Sequence, residues 1–251
     1  MLATRASGGI WLGPHPFLGM IGVLGDPRPA TSLHAPDGLL SVPVALAMWA
    51  VTAAVLTVAV RQTNRTLDDR AIPLMGVMAA FIFAAQLFNF QVFGGTSGHL
   101  LGGVLAAVLL GPWAGTLVMA CVVAVQALLF QDGGLVVLGA NVFNMGVVGT
   151  LGGYGLYRAL ATMLGGESRR RIPAASIAAW TAVVLGALSM TLQLAASGTT
   201  ELAIALPVMV GVHVFIGVGE ALITAAAIGF IAATRADLFT LRDAVTPEVG
   251  A

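Results

Sequence analysis

The chain has 251 residues, of which 58% are hydrophobic and only 9% charged, with a formal net charge of zero. A soluble domain carries about 25% charged residues, so the solvent of this chain is lipid rather than water. The absence of net charge excludes a basic field for nucleic acid, and the single cysteine, Cys121, excludes an internal disulfide and a Cys-rich metal site.

The first 41 residues stand apart from the rest. Arg5 precedes an apolar, Gly-rich stretch over residues 8–25, and Ala30-Thr31-Ser32 reads as a small-x-small cleavage site. Residues 1–32 therefore resemble a signal peptide, although Pro14 and Pro16 interrupt its apolar core. The alternatives are an upstream extension produced by a misplaced start and a retained extra segment, and His15 falls within any of them. Residues 33–251 form the expected transmembrane domain.

A membrane helix needs about 20 apolar residues. Val42–Val60, Ile72–Gln91, Leu135–Tyr157, Ile172–Ala196 and Leu202–Ala233 meet this need, with Pro207 marking a kink or first turn in the last. Leu100–Phe130 is too long for one span and short for two. Arginines 61, 65 and 70, then 158 and 169–171, then 235 and 242 follow successive spans. All can lie in the cytoplasm only if the chain turns at Gly111-Pro112. The prediction is an all-α, polytopic bundle of about seven helices, with its N-terminal side outside and its C-terminus inside. A helix over Leu100–Leu110 spans only about 16 Å of a core about 30 Å thick. The Gly-rich segment Val92–His99 is therefore expected to be re-entrant, lining a cavity that opens outward.

Polar residues at membrane depth are functional suspects. The sequence has no Ser/His/Asp set with recognisable spacing, no Walker A motif and no pair of carboxylates in one membrane segment for acid–base work. His34 and His99 stand out, since the topology puts both on the outer side and imidazole suits nickel, copper and zinc. If the mature chain begins at Leu33, its α-amine, the His34 backbone nitrogen and the His34 imidazole form fused chelate rings. His99 then completes a square of nitrogens, which favours Ni(II) or Cu(II).

Several segments together resemble the CbiM/NikM family, the metal-binding membrane subunit of energy-coupling-factor nickel and cobalt transporters. They are HAPDG at 34–38, LFNF at 87–90, GTSGHLLGG at 95–103, QALLFQDGG at 126–134, GANVFNMG at 139–146 and GVHVFIGVGEALIT at 211–224. The resemblance implies capture of Ni(II) or Co(II) as the transported ion, with no resident cofactor, by a non-enzymatic subunit of an ABC-type importer. It implies residence in a bacterial or archaeal cell (inner) membrane. Its partners would be ATPase subunits, a coupling transmembrane subunit and a small accessory membrane subunit. In the family the chain begins Met-His; matched by motif, the metal ligands are Leu33, His34 and His99. Here 32 residues precede Leu33, and Leu replaces Met. The GHLLGG loop leans toward the nickel branch.

Asp37, Asn89, Ser97, Gln131 and Asn141 are candidate partners that orient the ligands. Asn141, Asn144, Gln126 and Gln131 also suit the satisfaction of loop backbone groups. His213 and Glu220, seven apart, share a helix face. They read as a second site, a proton relay or a structural network. A relay would suit the rival function, an ion-coupled secondary metal transporter acting alone. Ala50, Ala53 and Ala54 form a smooth face that suits either coupling-subunit docking or internal packing.

Overall fold

The computed structural model describes residues 34–67, 71–87, 90–92 and 96–239. The architecture is an all-helical bundle. In chain order it comprises α1 (Val42–Thr66), α2 (Ala71–Leu87), β1 (Phe90–Val92), β2 (Thr96–Gly98), α3 (Gly103–Leu110), α4 (Pro112–Leu129) and α5 (Leu138–Val142). A π-helical segment (Phe143–Gly152) runs directly into α6 (Gly153–Met163), and α7 (Glu167–Ala196) and α8 (Leu202–Thr234) complete the bundle.

A helix stands within each span that the sequence predicts, although the second ends at Leu87 and its predicted Phe90-Gln91 end lies in β1. Among the described residues, α1, α4, α7 from Arg170 onward, and α8 are long and apolar enough to cross a bilayer, and α2 is a shorter apolar helix. Their outer surfaces are apolar: Leu46, Val77, Phe215, Leu222 and Phe230 are exposed. Such contiguous apolar surface is stable in contact with lipid tails, not water, and the chain is a multi-pass membrane protein.

The core lies around α3. All eight of its residues are buried, and they pack with α2, α4, α6 and α7. Because α3 is enclosed by protein on every side, its shortness exposes no backbone to hydrocarbon. The chain reverses at Gly111, whose φ of 83° and ψ of 165° lie in a region open essentially to glycine. Pro112 then begins α4, where its missing N–H costs no helical bond. The two helices meet closely, since a Cβ at Gly115 would lie 2.9 Å from the backbone of Ala107.

Two details differ from the sequence reading, and a third narrows the alternatives it gave for Pro207. The re-entrant segment is partly regular: β1 and β2 pair antiparallel, Phe90 opposite Gly98 and Val92 opposite Thr96. This pairing satisfies backbone groups locally. The fifth predicted span is α-helical only at its ends, with π geometry over FNMGVVGTLG. Thr150 donates its hydroxyl proton to the Met145 carbonyl five residues earlier, which fits that wider turn. Pro207 lies inside α8, beyond its first turn.

The α3–α4 contact gives a test. Gly115→Leu is expected to destabilise the protein by about 1–3 kcal/mol, the usual range for overpacking. Thermal unfolding in detergent measures this. Gly76→Leu, where a Cβ meets nothing within 4 Å, should leave the transition unmoved.

Candidate metal centre

Two loops build the centre. The first is the chain from His34 to Ser41, before α1. It lies on the loop between α4 and α5. Gly134 donates its N–H to the Ala35 carbonyl at 2.9 Å. Asn141 grips the same residue twice: its Oδ1 accepts the Ala35 N–H and its Nδ2 donates to the Ala35 carbonyl, both at 3.1 Å. The Asp37 carboxylate accepts the N–H groups of Leu135, Val136 and Val137. Gly133, at φ 96°, allows the approach, since a Cβ there would stand 2.8 Å from the His34 Cβ. From the α1 side, Trp49 donates to the Val136 carbonyl and Thr52 to the Gly139 carbonyl. His34 is thereby held at 3% exposure.

The second loop is His99–Gly102, between β2 and α3. Gln86 donates to the Leu101 carbonyl at 2.9 Å, and Gln126 donates to Gln86. Glu220 accepts the N–H groups of Leu101 and Gly102 at 2.6 and 2.8 Å. The π segment supplies the shelf beneath: Cβ atoms at Gly103 and Gly149 would collide with Thr150 and Leu101 respectively.

His34 and His99 face each other across this junction, their ring centroids 5.4 Å apart and tilted by 38°. Two imidazoles that each place a nitrogen about 2 Å from one ion have centroids about 4–6 Å apart. His99 Nδ1 lies 2.8 Å from the Leu100 carbonyl. A carbonyl only accepts, so Nδ1 carries the proton and Nε2 presents its lone pair. That Nε2 is buried and has no hydrogen-bond partner among the described residues. A metal ligand must be an unprotonated ring nitrogen, and this tautomer leaves Nε2 in that form.

His34 Nδ1 contacts Asp132 Oδ1 at 2.9 Å. Sequence reasoning passed over Asp132 in favour of Gln131. Gln131 is instead exposed, with φ 56°. The available signal was an acid beside two glycines, in a chain with only eleven acidic residues. Among the other candidates, Leu33 and Asn89 lie outside the described residues, and Ser97 occupies β2 two residues before His99. Asn141 acts on the Ala35 backbone beside His34 and Asp37 on the amides of residues 135–137, and neither bonds His99. His213 donates to the Met209 carbonyl one turn earlier, so it and Glu220 have separate partners. Asn144 bonds with Ser189 and Gln193 on α7. No third His, Cys, Asp or Glu completes a metal-binding set among the described residues.

The bundle is that of a multi-pass membrane protein with a facing pair of buried imidazoles between two of its loops. The chain belongs to the CbiM family, described as the cobalt uptake substrate-specific transmembrane region, which its residues 34–238 match. A Haloquadratum walsbyi protein named for metal transport is 43% identical over 208 residues, covering 82% of this chain and 93% of its own length. The fused nickel transport protein NikMN of Rhodobacter capsulatus is 32% identical over 231 residues, covering 86% of this chain and 67% of that protein. A crystal structure of a truncated transition metal transporter shares 31% identity with a TM-score of 0.72, covering 79% of this chain and 98% of that one. The chain is thus a nickel/cobalt transport membrane component, and its relatives are transport proteins rather than enzymes.

The Asn141 clamp yields an expectation. Asn141→Ala removes two buried bonds and leaves the Ala35 backbone with one fewer donor and one fewer acceptor. The expected loss is about 1–3 kcal/mol of stability. Thermal melting would register it.

Proposed function

We propose that this chain is the substrate-capturing subunit of an energy-coupling-factor importer, taking Ni(II) or Co(II) from the outer side. ATP hydrolysis belongs to partner ATPases, linked through a coupling membrane subunit and accompanied by a small accessory one. The N-terminal side lies outside and the C-terminus in the cytoplasm of a bacterial or archaeal cell membrane. Nickel is favoured by the GHLLGG form of the His99 loop and by the fused nickel transport relatives.

One observation carries this reading: the buried imidazoles of His34 and His99 sit 5.4 Å apart, with His99 Nε2 turned out as a lone-pair donor. Two imidazoles are too few for a tight site. The α-amine of Leu33 and the backbone nitrogen of His34 complete the proposed set, which requires the mature chain to begin at Leu33. A chelate ring through the His34 backbone nitrogen closes at Nδ1, the atom that rests on Asp132. Binding in this mode therefore requires the ring to leave that carboxylate.

Equilibrium titration of the purified chain with Ni(II) and Co(II) tests the site. His34→Ala and His99→Ala should each weaken binding by more than about 100-fold, beyond the 10–100-fold typical of losing a group behind a ligand. Unchanged affinity in both variants would sink the proposal. Intact mass should correspond to a start at Leu33, and a chain retaining Met1 would remove the amine from the set. Uptake into liposomes by this chain alone, driven by a pH gradient, would instead support the secondary-transporter reading.

A further inference from the structure

Glu220 lies at 2% exposure in α8, yet among the described residues it pairs with no cation. Its two oxygens instead each accept one of two consecutive backbone N–H groups, those of Leu101 and Gly102. Gly102, at φ 76°, gives this stretch the left-handed turn that lets successive N–H groups converge on one anion. The arrangement explains the residue type. A carboxylate offers two acceptor oxygens, whereas an amide of the same shape offers one acceptor and one NH2 donor. Gln at this position would turn its donor toward an N–H.

The anchored residues adjoin a proposed ligand. His99 stands two residues before Leu101, and its Nδ1–H bonds to the carbonyl of Leu100. Gln86 fixes the Leu101 carbonyl from α2. The backbone that determines the direction of His99 Nε2 is thus pinned by α8 and α2. The helix that carries Glu220 packs mainly on α7 and presents much of its length outward. A shift of α8 against the bundle would drag Leu101–Gly102 with it.

We propose that Glu220 is a positioning residue for metal capture: its bidentate grip on the Leu101 and Gly102 amides fixes the His99 arm of the site and makes metal affinity depend on the seating of α8. This rests on the reading of His99 as a ligand, and the experiment separates the two. Nickel affinity and the ligand-field absorption of bound nickel are measured for the purified full chain, Glu220→Gln, His99→Ala and the double variant. Glu220→Gln should bind nickel about 10–100-fold more weakly, as for groups that orient ligands. Its absorption should move toward that of His99→Ala. In the His99→Ala background, Glu220→Gln should cost no further affinity beyond about threefold, since residues acting through one another are not additive. Wild-type affinity and spectrum in Glu220→Gln, beside a weakened His99→Ala, would overturn the role of Glu220 and leave the metal site standing. A full additive loss in the double variant would also overturn it, as general damage to packing. Unchanged affinity in His99→Ala would instead defeat the ligand reading. Amide hydrogen exchange on the wild-type chain needs no variant: residues 101 and 102 should exchange slowly, and exchange at open-loop rates would refute the grip.

Discussion

Backbone polar groups at membrane depth must be satisfied by the protein itself, because hydrocarbon offers them nothing. Everything unusual between α2 and α4 follows from that requirement. A chain that stops being helical before His99 and restarts only at Gly103 exposes several N–H and C=O groups. The β1–β2 pairing takes up some of them. Gln86 and Glu220 take three more at Leu101 and Gly102. α3 is then short enough to leave room for this loop, and it is sheathed by protein along its whole length. Polar side chains deep in an apolar bundle are thus the condition for placing a non-helical, imidazole-bearing loop there.

The same logic governs the other half of the centre. His34 precedes the first described helix and has no regular structure to hold it. Its position comes from side chains that bind backbone: Asn141 at Ala35, and Asp37 at the amides that lead into α5. Glycines at 133 and 134 let the two segments lie against each other without Cβ atoms between them. The centre is a meeting of two backbone loops, each fixed from neighbouring helices, with one imidazole on each.

Hydropathy and arginine placement made the helices legible because burial in lipid demands long apolar runs and few charges. The turn at Gly111-Pro112 was legible because length and charge could not otherwise be reconciled. The hairpin was not, since three-residue strands carry no periodic signal. Nor was the π segment, whose Gly-rich apolar sequence fits α and π turns alike. His34 and His99, 65 positions apart, could be paired only through their chemistry and the family motifs. Asp132 was missed by one residue: the positive φ at Gln131 turns the chain so that the next side chain meets His34. The spacing of His213 and Glu220 suggested a pair, but spacing reports only a shared face. A nearby loop with unfilled amides claimed the carboxylate.

The Asn141 clamp addresses the main chain of Ala35 and ignores its side chain. Drift at position 35 should therefore be tolerated among small residues over evolutionary time, with one exception. Proline has no N–H to give the amide oxygen, and it already occupies the next position, Pro36. The order Ala-Pro is thus directional: exchanging the two residues conserves composition and hydropathy but removes the N–H half of the clamp beside His34.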